Sequence, residues 1–507
     1  MSSSSSSSPF QIAVFLLLCC LLEPYSCGYS TIVPESLTPT LVDTPQTGLS
    51  MNMDDGAHTD RQEQAAVYEV MKATGNGWAT SIPDICKGRW HGIECMPDEN
   101  RVFHVVSLAF GALSDDTAFP TCDPSSSFIS PSIAKLPYIR RLFFYQCCNG
   151  NPQPIPAFLG QLAGSLESLV LRENGHVGAI PHELGNLTQL RVLDLHGNNL
   201  AGDAALPASL GNLRRLGLLD LSRNRLAGKI PASVGELKGL NVLDLNQNLL
   251  QGPIPDSIGD CTSLLKVDLS RNRLAGPIPS SLGKLTSLLL LDLSYNSLSA
   301  PIPASLGGLK SLETLVLKGN FMEGAVIPES VGRMRSLMVL VLTNMGLKGP
   351  IPDGLGQLTR LRVLHLDRNW LNGSIPASLR ALENLSELRV NDNQLTGAVP
   401  FAKEMLWRMG RKIHLQNNSG LCYLNGDWSG DDQNDMSSSF LPGISSCEFR
   451  KTEHLLFHEL PSSSYSSSPQ LPPSPIPSSS SPPPSMTAAS VVWMLVVCEM
   501  LFSFHFL

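Results

Sequence analysis

A basic excess is missing from this chain. Its 507 residues carry a formal net charge of −8, which leaves no electrostatic footprint for nucleic acid. Catalytic signatures are missing too. His454-Leu-Leu-Phe-His458-Glu459 places two histidines at helical spacing, but the zinc-protease pattern needs Glu directly after the first His, where Leu455 stands. Gly283-Lys284 is followed by Leu285 and has no preceding glycine at the spacing of a phosphate loop. Kinase signatures do not occur. No enzyme activity, cofactor or metal site is therefore expected. Long apolar runs are scarce as well. The block Ile12–Leu22 has 11 residues, too few to cross a bilayer, and only the closing stretch from Ala488 to Leu507 is long enough.

What the chain does have is one phrase repeated. Leu240-Asn-Val-Leu243-Asp-Leu245-Asn-Gln-Asn248-Leu-Leu250-Gln-Gly252-Pro-Ile254-Pro255 is one copy, and Leu264, Val267, Leu269, Asn272, Leu274, Gly276, Ile278 and Pro279 fill the same slots 24 residues later. Leu288, Leu312, Leu361 and Leu385 open further copies, and Leu166, Leu190, Leu216 and Leu337 open others at steps of 24 to 26. Weaker copies begin near Phe103 and Ile139, and a truncated one holds Ile413, Leu415 and Asn418.

The letters have physical reasons. Leucines two apart point to one face of a short strand, and a single strand cannot bury that face alone. Stacked copies form a parallel sheet over a continuous leucine core, each repeat leaning on its neighbours. The Asn of each copy can donate to and accept from the backbone of adjacent turns, so a buried polar ladder stays satisfied. The expected fold is an α/β repeat solenoid: a leucine-rich repeat array with a parallel concave sheet and cysteine-containing caps.

The ends divide into segments. Residues 1–28 read as a signal peptide, 29–58 as a Thr/Pro/Ser-rich mobile leader, and 59–101 as an amino-terminal cap. Within that cap Asp60 and Glu63 suit a capping box, with Ala66, Val67, Val70 and Met71 on one helix face and Gly75 at its end. The array spans 102–421 and a second cap 422–460. A Ser/Pro-rich stalk follows at 461–487. Residues 488–507 are either a single-pass helix or the removable signal of a lipid anchor; Glu499 inside the span weighs against the helix. On either reading the protein lies on the extracellular face of the plasma membrane.

Of 12 cysteines, eight lie outside the signal and tail, in exported sequence where disulfides persist. Cys86–Cys95 and Cys422–Cys447 are local pairs within the caps. Cys261 fills a slot that Leu187 and Leu285 hold in sister repeats and reads as a buried thiol. Cys122 pairs with Cys147 in this reading, which leaves Cys148 without a role. Glycosylation sequons stand at Asn186, Asn372, Asn384 and Asn417.

Binding must then use the exposed faces. The middle strand position reads Asp194, Asp220, Asp244, Asp268 and Asp292, then Val316, Val341, His365 and Arg389. The aspartates are the ordinary form of the repeat, with Arg223, Lys266 and Arg271 as nearby compensating donors. The change after Asp292 predicts an exposed strip, apolar then basic, suited to a protein ligand or partner. The ring residues His182, His196 and His365 read as surface positions.

Several phrases carry a resemblance. The L-x-G-x-I-P half is similar to the plant extracellular subtype of these repeats. Cys86-Lys-Gly-Arg-Trp90-His-Gly92-Ile-Glu-Cys95 resembles the amino-terminal cap of plant leucine-rich repeat receptors, with two extra residues after the first Cys. Leu142-Phe-Phe-Tyr-Gln-Cys147, Ile155-Pro-Ala-Phe-Leu-Gly160, Leu169-Val-Leu-Arg-Glu-Asn174 and Trp407-Arg-Met resemble plant receptor-like proteins that lack a kinase and act in stomatal patterning. That resemblance implies a co-receptor at the plasma membrane, working beside ERECTA-type receptor kinase ectodomains in sensing secreted cysteine-rich patterning peptides. The chain departs from the pattern at Cys148, and at Cys147 and Met345, which replace ladder asparagines. An immune receptor-like protein, or an inhibitor of wall-degrading enzymes, would share the array; the inhibitor should lack the stalk and apolar tail.

Overall fold

The computed structural model describes residues 57–88, 92–111, 120–202, 206–423 and 444–447. The expected signal peptide, most of the expected leader, the expected stalk, the apolar tail and the His454–His458 pair lie outside these residues.

Each repeat contributes one short strand to a common sheet. Among the described residues this sheet has 15 strands. The strands Val242–Asp244, Lys266–Asp268 and Leu290–Asp292 are parallel and in register, Asp244 beside Asp268 and Asp268 beside Asp292. Leu240, Leu243 and Leu245 are fully buried, as the two-residue alternation demands.

The return segments are short 3₁₀ turns, such as Asp256–Asp260 and Ser280–Lys284. From Ala157–Leu162 to Ala377–Ala381 a proline precedes each turn, and its carbonyl accepts the first turn bond: Ile258 N donates to Pro255 O at 3.1 Å. A 24-residue repeat leaves little chain for an α-helix, and the tighter turn suits short pieces. Stacking on this convex side is close. A Cβ on Gly259 would lie 2.5 Å from the Ser281 carbonyl oxygen, which accounts for the recurring Leu-Gly.

The asparagine ladder runs between the two sides. Asn248 Nδ2 donates to the carbonyls of Leu221, Leu245 and Asn246 at 2.9, 3.2 and 3.2 Å, while its Oδ1 accepts from Leu226 N at 3.0 Å. Asn272 repeats the pattern one turn on.

Beyond the ladder lies a feature the sequence reading did not anticipate: a second, lateral ribbon of short parallel strands. It comprises a six-stranded sheet from Val177–Gly178 to Ser297–Leu298, and a five-stranded one from Lys348–Pro350 to Ser445–Ser446. The gap between them falls where Met345 replaces a ladder asparagine. Leu298 N still donates to Asn320 Oδ1 at 3.1 Å. One repeat later Met322 N finds no side-chain acceptor and donates to the Met345 carbonyl at 2.9 Å instead. The same repeat has one residue more between its Gly324 and Ile327-Pro328 than Gly252-Pro-Ile254-Pro255 has, and the lateral strand is lost.

The caps close both ends. Helix α1 (Arg61–Ala73) begins at Asp60, whose carboxylate accepts from Gln62 N and Glu63 N at 2.8 and 3.0 Å. The reciprocal half of a capping box does not form. Glu63 is buried and turns to the first long strand, Val102–Phe110, accepting from Val105 N and meeting His104 Nδ1, both at 2.7 Å. His58, the last residue of the expected leader, pairs with Val102 in the sheet. Disulfides join Cys86 to Cys95, Cys122 to Cys147 and Cys422 to Cys447. Cys148 and Cys261 are buried free thiols, and burial pushes each up to about 11. At the far end helix α2 (Lys403–Met409) buries Met405, Leu406 and Met409, and Ile413–His414 ends the sheet.

Candidate functional site

Strand pairing brings the middle positions into one column across the concave face. Asp194, Asp220, Asp244, Asp268, Asp292, Val316, Val341, His365, Arg389 and His414 are register neighbours in that order.

The aspartates have a local structural duty. One carboxylate oxygen of each accepts from the backbone N–H two residues on: His196 for Asp194, Ser222 for Asp220, Asn246 for Asp244, Ser270 for Asp268 and Ser294 for Asp292, at 2.8–3.1 Å. This tethers the end of each strand and explains Leu-Asp-Leu as the ordinary form. Repulsion along the column is partly relieved by cations. Lys266 Nζ lies 2.8 Å from Asp244 and Arg172 3.5 Å from Asp194. Asp268 is worse placed. Burial first, then the neighbouring Asp244 and Asp292 charges, hold its carboxyl well above the usual range, and burial raises Asp292 as well. His196, expected at the surface, is 1% exposed; burial and then the Arg172 charge push its imidazole well below its usual value.

The carboxyl-terminal half corrects the expected exposed strip. Val316 and Val341 are only 4% and 1% exposed, and His365 only 4%. Side chains on strands about 4.8 Å apart crowd on a concave face, so alternation alone does not guarantee contact with water. Thr314 and Val339, two residues earlier on the same face, are equally buried. The basic end is also internally neutralised. His365 Nε2 meets Glu387 Oε1 at 2.7 Å, and the Arg389 guanidinium forms an ion pair with the same oxygen at 2.8 Å. Burial acts to raise Glu387, yet the hydrogen bond from His365 and the charges of His365, Arg389 and Lys412 outweigh it and leave the carboxyl below its usual value. Arg389 remains half-exposed, and its buried Nε has no hydrogen-bond partner. Glu387 escaped the sequence reading because it sits in an adjoining strand slot that Val242 and Leu290 fill elsewhere. The four residues therefore do lie together, but as the floor of a shallow, mainly neutral surface with one cationic group at its edge.

Of the predicted sequons, Asn186, Asn372, Asn384 and Asn417 are all exposed, although Asn417 donates to Asp392 at 2.6 Å. Gly283-Lys284 falls in an ordinary convex turn. Among the described residues no group of His, Cys, Asp and Glu side chains is placed to hold a metal ion.

A family model described as a leucine-rich repeat region matches residues 169–299 and 268–405. Protein TOO MANY MOUTHS of Arabidopsis thaliana is 57% identical over 180 residues, covering 35% of this chain and 36% of that protein. The chain resembles a plant leucine-rich repeat receptor-like protein. Receptor like protein 29, also of Arabidopsis thaliana, is 37% identical over 142 residues, 27% of this chain and 30% of the relative. The matches thus span about a third of these relatives' length, 36% and 30%. Among solved structures, PEPR1–AtPEP1 aligns with a TM-score of 0.56 at 29% identity, covering 71% of this chain and 52% of that one. The Arabidopsis receptor kinase HAESA, in complex with the peptide hormone IDA and the co-receptor SERK1, aligns with a TM-score of 0.54 at 31% identity, covering 67% and 55%. The plant-type repeat solenoid read from the sequence is therefore the observed architecture.

Proposed function

We propose that this chain is a kinase-lacking co-receptor on the extracellular face of the plasma membrane, acting with ERECTA-type receptor kinase ectodomains to sense secreted cysteine-rich peptides in stomatal patterning. The observation that carries this reading is the 57% identity to Protein TOO MANY MOUTHS over 180 residues. The likeness to HAESA, described with both a peptide hormone and a co-receptor, supports a peptide and a second ectodomain as partners.

The concave surface from Leu290 to Arg389 is the proposed contact. Val316 and Val341 shape its floor, and His365 and Arg389, held by Glu387, define its cationic edge. The test adds a cysteine-rich patterning peptide to the purified protein, with and without an ERECTA-type ectodomain, and measures binding by calorimetry. Arg389→Glu is expected to weaken the complex at least about tenfold, consistent with loss of a well-placed interface charge. Asp220→Ser with Asp244→Ser is expected to change it little. Stronger loss from the aspartate pair would move the contact to the amino-terminal half.

A further inference from the structure

The lateral face carries a group of exposed large apolar side chains. Phe321 is 63% exposed, Val326 54%, Tyr295 45%, Trp370 40% and Leu249 37%. Tyr295, Phe321, Val326 and Trp370 gather around the break in the lateral ribbon. Phe321 and Val326 lie on the segment that lost its strand when Met345 took the ladder slot. Two of these side chains pack on the backbone of the following repeat. A Cβ on Gly319 would lie 2.7 Å from the Tyr295 ring, and one on Gly349 would lie 3.2 Å from Val326.

Cations accompany the rings. Arg271 and Lys318 stand 4.9 and 5.3 Å from the Tyr295 ring centroid, and Lys348 stands 5.2 Å from that of Trp370. Arg273 is exposed nearby in the same ribbon. The salt bridges of this half of the array engage Lys266, Lys284, Arg360, Arg368 and Arg389 instead. Glu323 is the acid within the gap segment. So a chain with a net charge of −8 gathers positive charge around its exposed rings.

We propose that this lateral break is a docking surface for a protein partner that presents carboxylates around an apolar side chain. Apolar side chains grouped on a surface and rimmed by charge mark an interaction site, and aromatic residues with arginine are enriched at interfaces. Cations resting on ring faces keep their charge directed outward, where a carboxylate can meet both ring edge and cation. The sign of the rim selects an acidic partner over a basic one. This surface goes beyond the concave contact proposed above because it uses different residues, Lys318 standing near Asp292 at their common edge.

The test uses the purified full chain and a short fluorescent peptide bearing phenylalanine flanked by aspartates and glutamates, with a lysine-flanked peptide as counterpart. Anisotropy should show saturable binding of the acidic probe alone, weakening with salt. Phe321→Asp with Val326→Asp, and separately Arg271→Glu with Lys348→Glu, should each weaken it about tenfold or more. Arg389→Glu on the concave face should not. Since Arg271 and Lys348 are exposed, the charge-reversed variant carries the test if the first fails to fold. Equal binding of both probes, binding unchanged by the variants, or no saturable binding would overturn the proposal. So would self-association of the chain that the same variants abolish, because a second copy would then be the occupant.

Discussion

Asp268 sits between Asp244 and Asp292 with little access to water. Its carboxyl is held well above the usual range, so the folded state binds its proton more tightly than the unfolded chain does. The stability this group contributes is fully present below the unfolded value of about 3.8 and is lost as pH climbs through the raised folded value. Asp268→Asn keeps an acceptor for Ser270 N and removes the charge. The variant is expected to melt higher than the parent at neutral pH, with the gap closing below about pH 4. Thermal melts across pH check this, and a variant that is less stable at neutral pH would contradict the burial argument. At this scale the sequence was partly legible. The regular Leu-Asp-Leu has its reason in the bond from each strand's following N–H. The burial of Val316 and Val341 is not legible in the sequence, because residue alternation reports which face a side chain takes and not how crowded that face is. The neutralisation of His365 and Arg389 was hidden because Glu387 lies in a neighbouring slot.

At the scale of the element, the ladder ranks its own positions. Asn272→Leu removes donors to Leu245 O, Leu269 O and Ser270 O and the acceptor for Leu250 N. Each buried group left unpaired costs roughly 1–3 kcal/mol. Met345→Leu removes no side-chain hydrogen bond and keeps a buried apolar group of similar size, so it should cost less than about 1.5 kcal/mol. Urea denaturation of the two variants, with slopes compared, separates them; equal midpoints would contradict the ladder. The strand, the ladder and the cap helix were legible from periodicity and from Asp60. The 3₁₀ return turns and the lateral ribbon were not. Both depend on how closely neighbouring repeats stack, which the Leu-Gly step and the Gly-x-Ile-Pro half encode only through contact with the next copy. Met345 was noticed as a departure, but its consequence appears only when Met322 N has to find another acceptor.

The repeat array is a one-dimensional stack in which each repeat is stabilised by its neighbours, and its ends are its weak points. Replacing both Cys86 and Cys95 by serine removes the tie within the amino-terminal lid. Loss of a native disulfide in an exported domain typically costs about 2–5 kcal/mol. Hydrogen exchange should therefore rise first in α1 and in Val102–Phe110, while Val242–Asp244 keeps its protection. Uniform loss along the array would contradict nearest-neighbour stacking. In the proposed function, partners engage the carboxyl-terminal half of the concave sheet. Hydrogen exchange on the purified protein, with and without a cysteine-rich peptide and an ERECTA-type ectodomain, tests this. New protection is expected on the strands Leu290–Asp292 through Glu387–Arg389, with little change on Val192–Asp194 and Leu218–Asp220. Protection confined to those acidic strands, or none on the concave sheet, would contradict it.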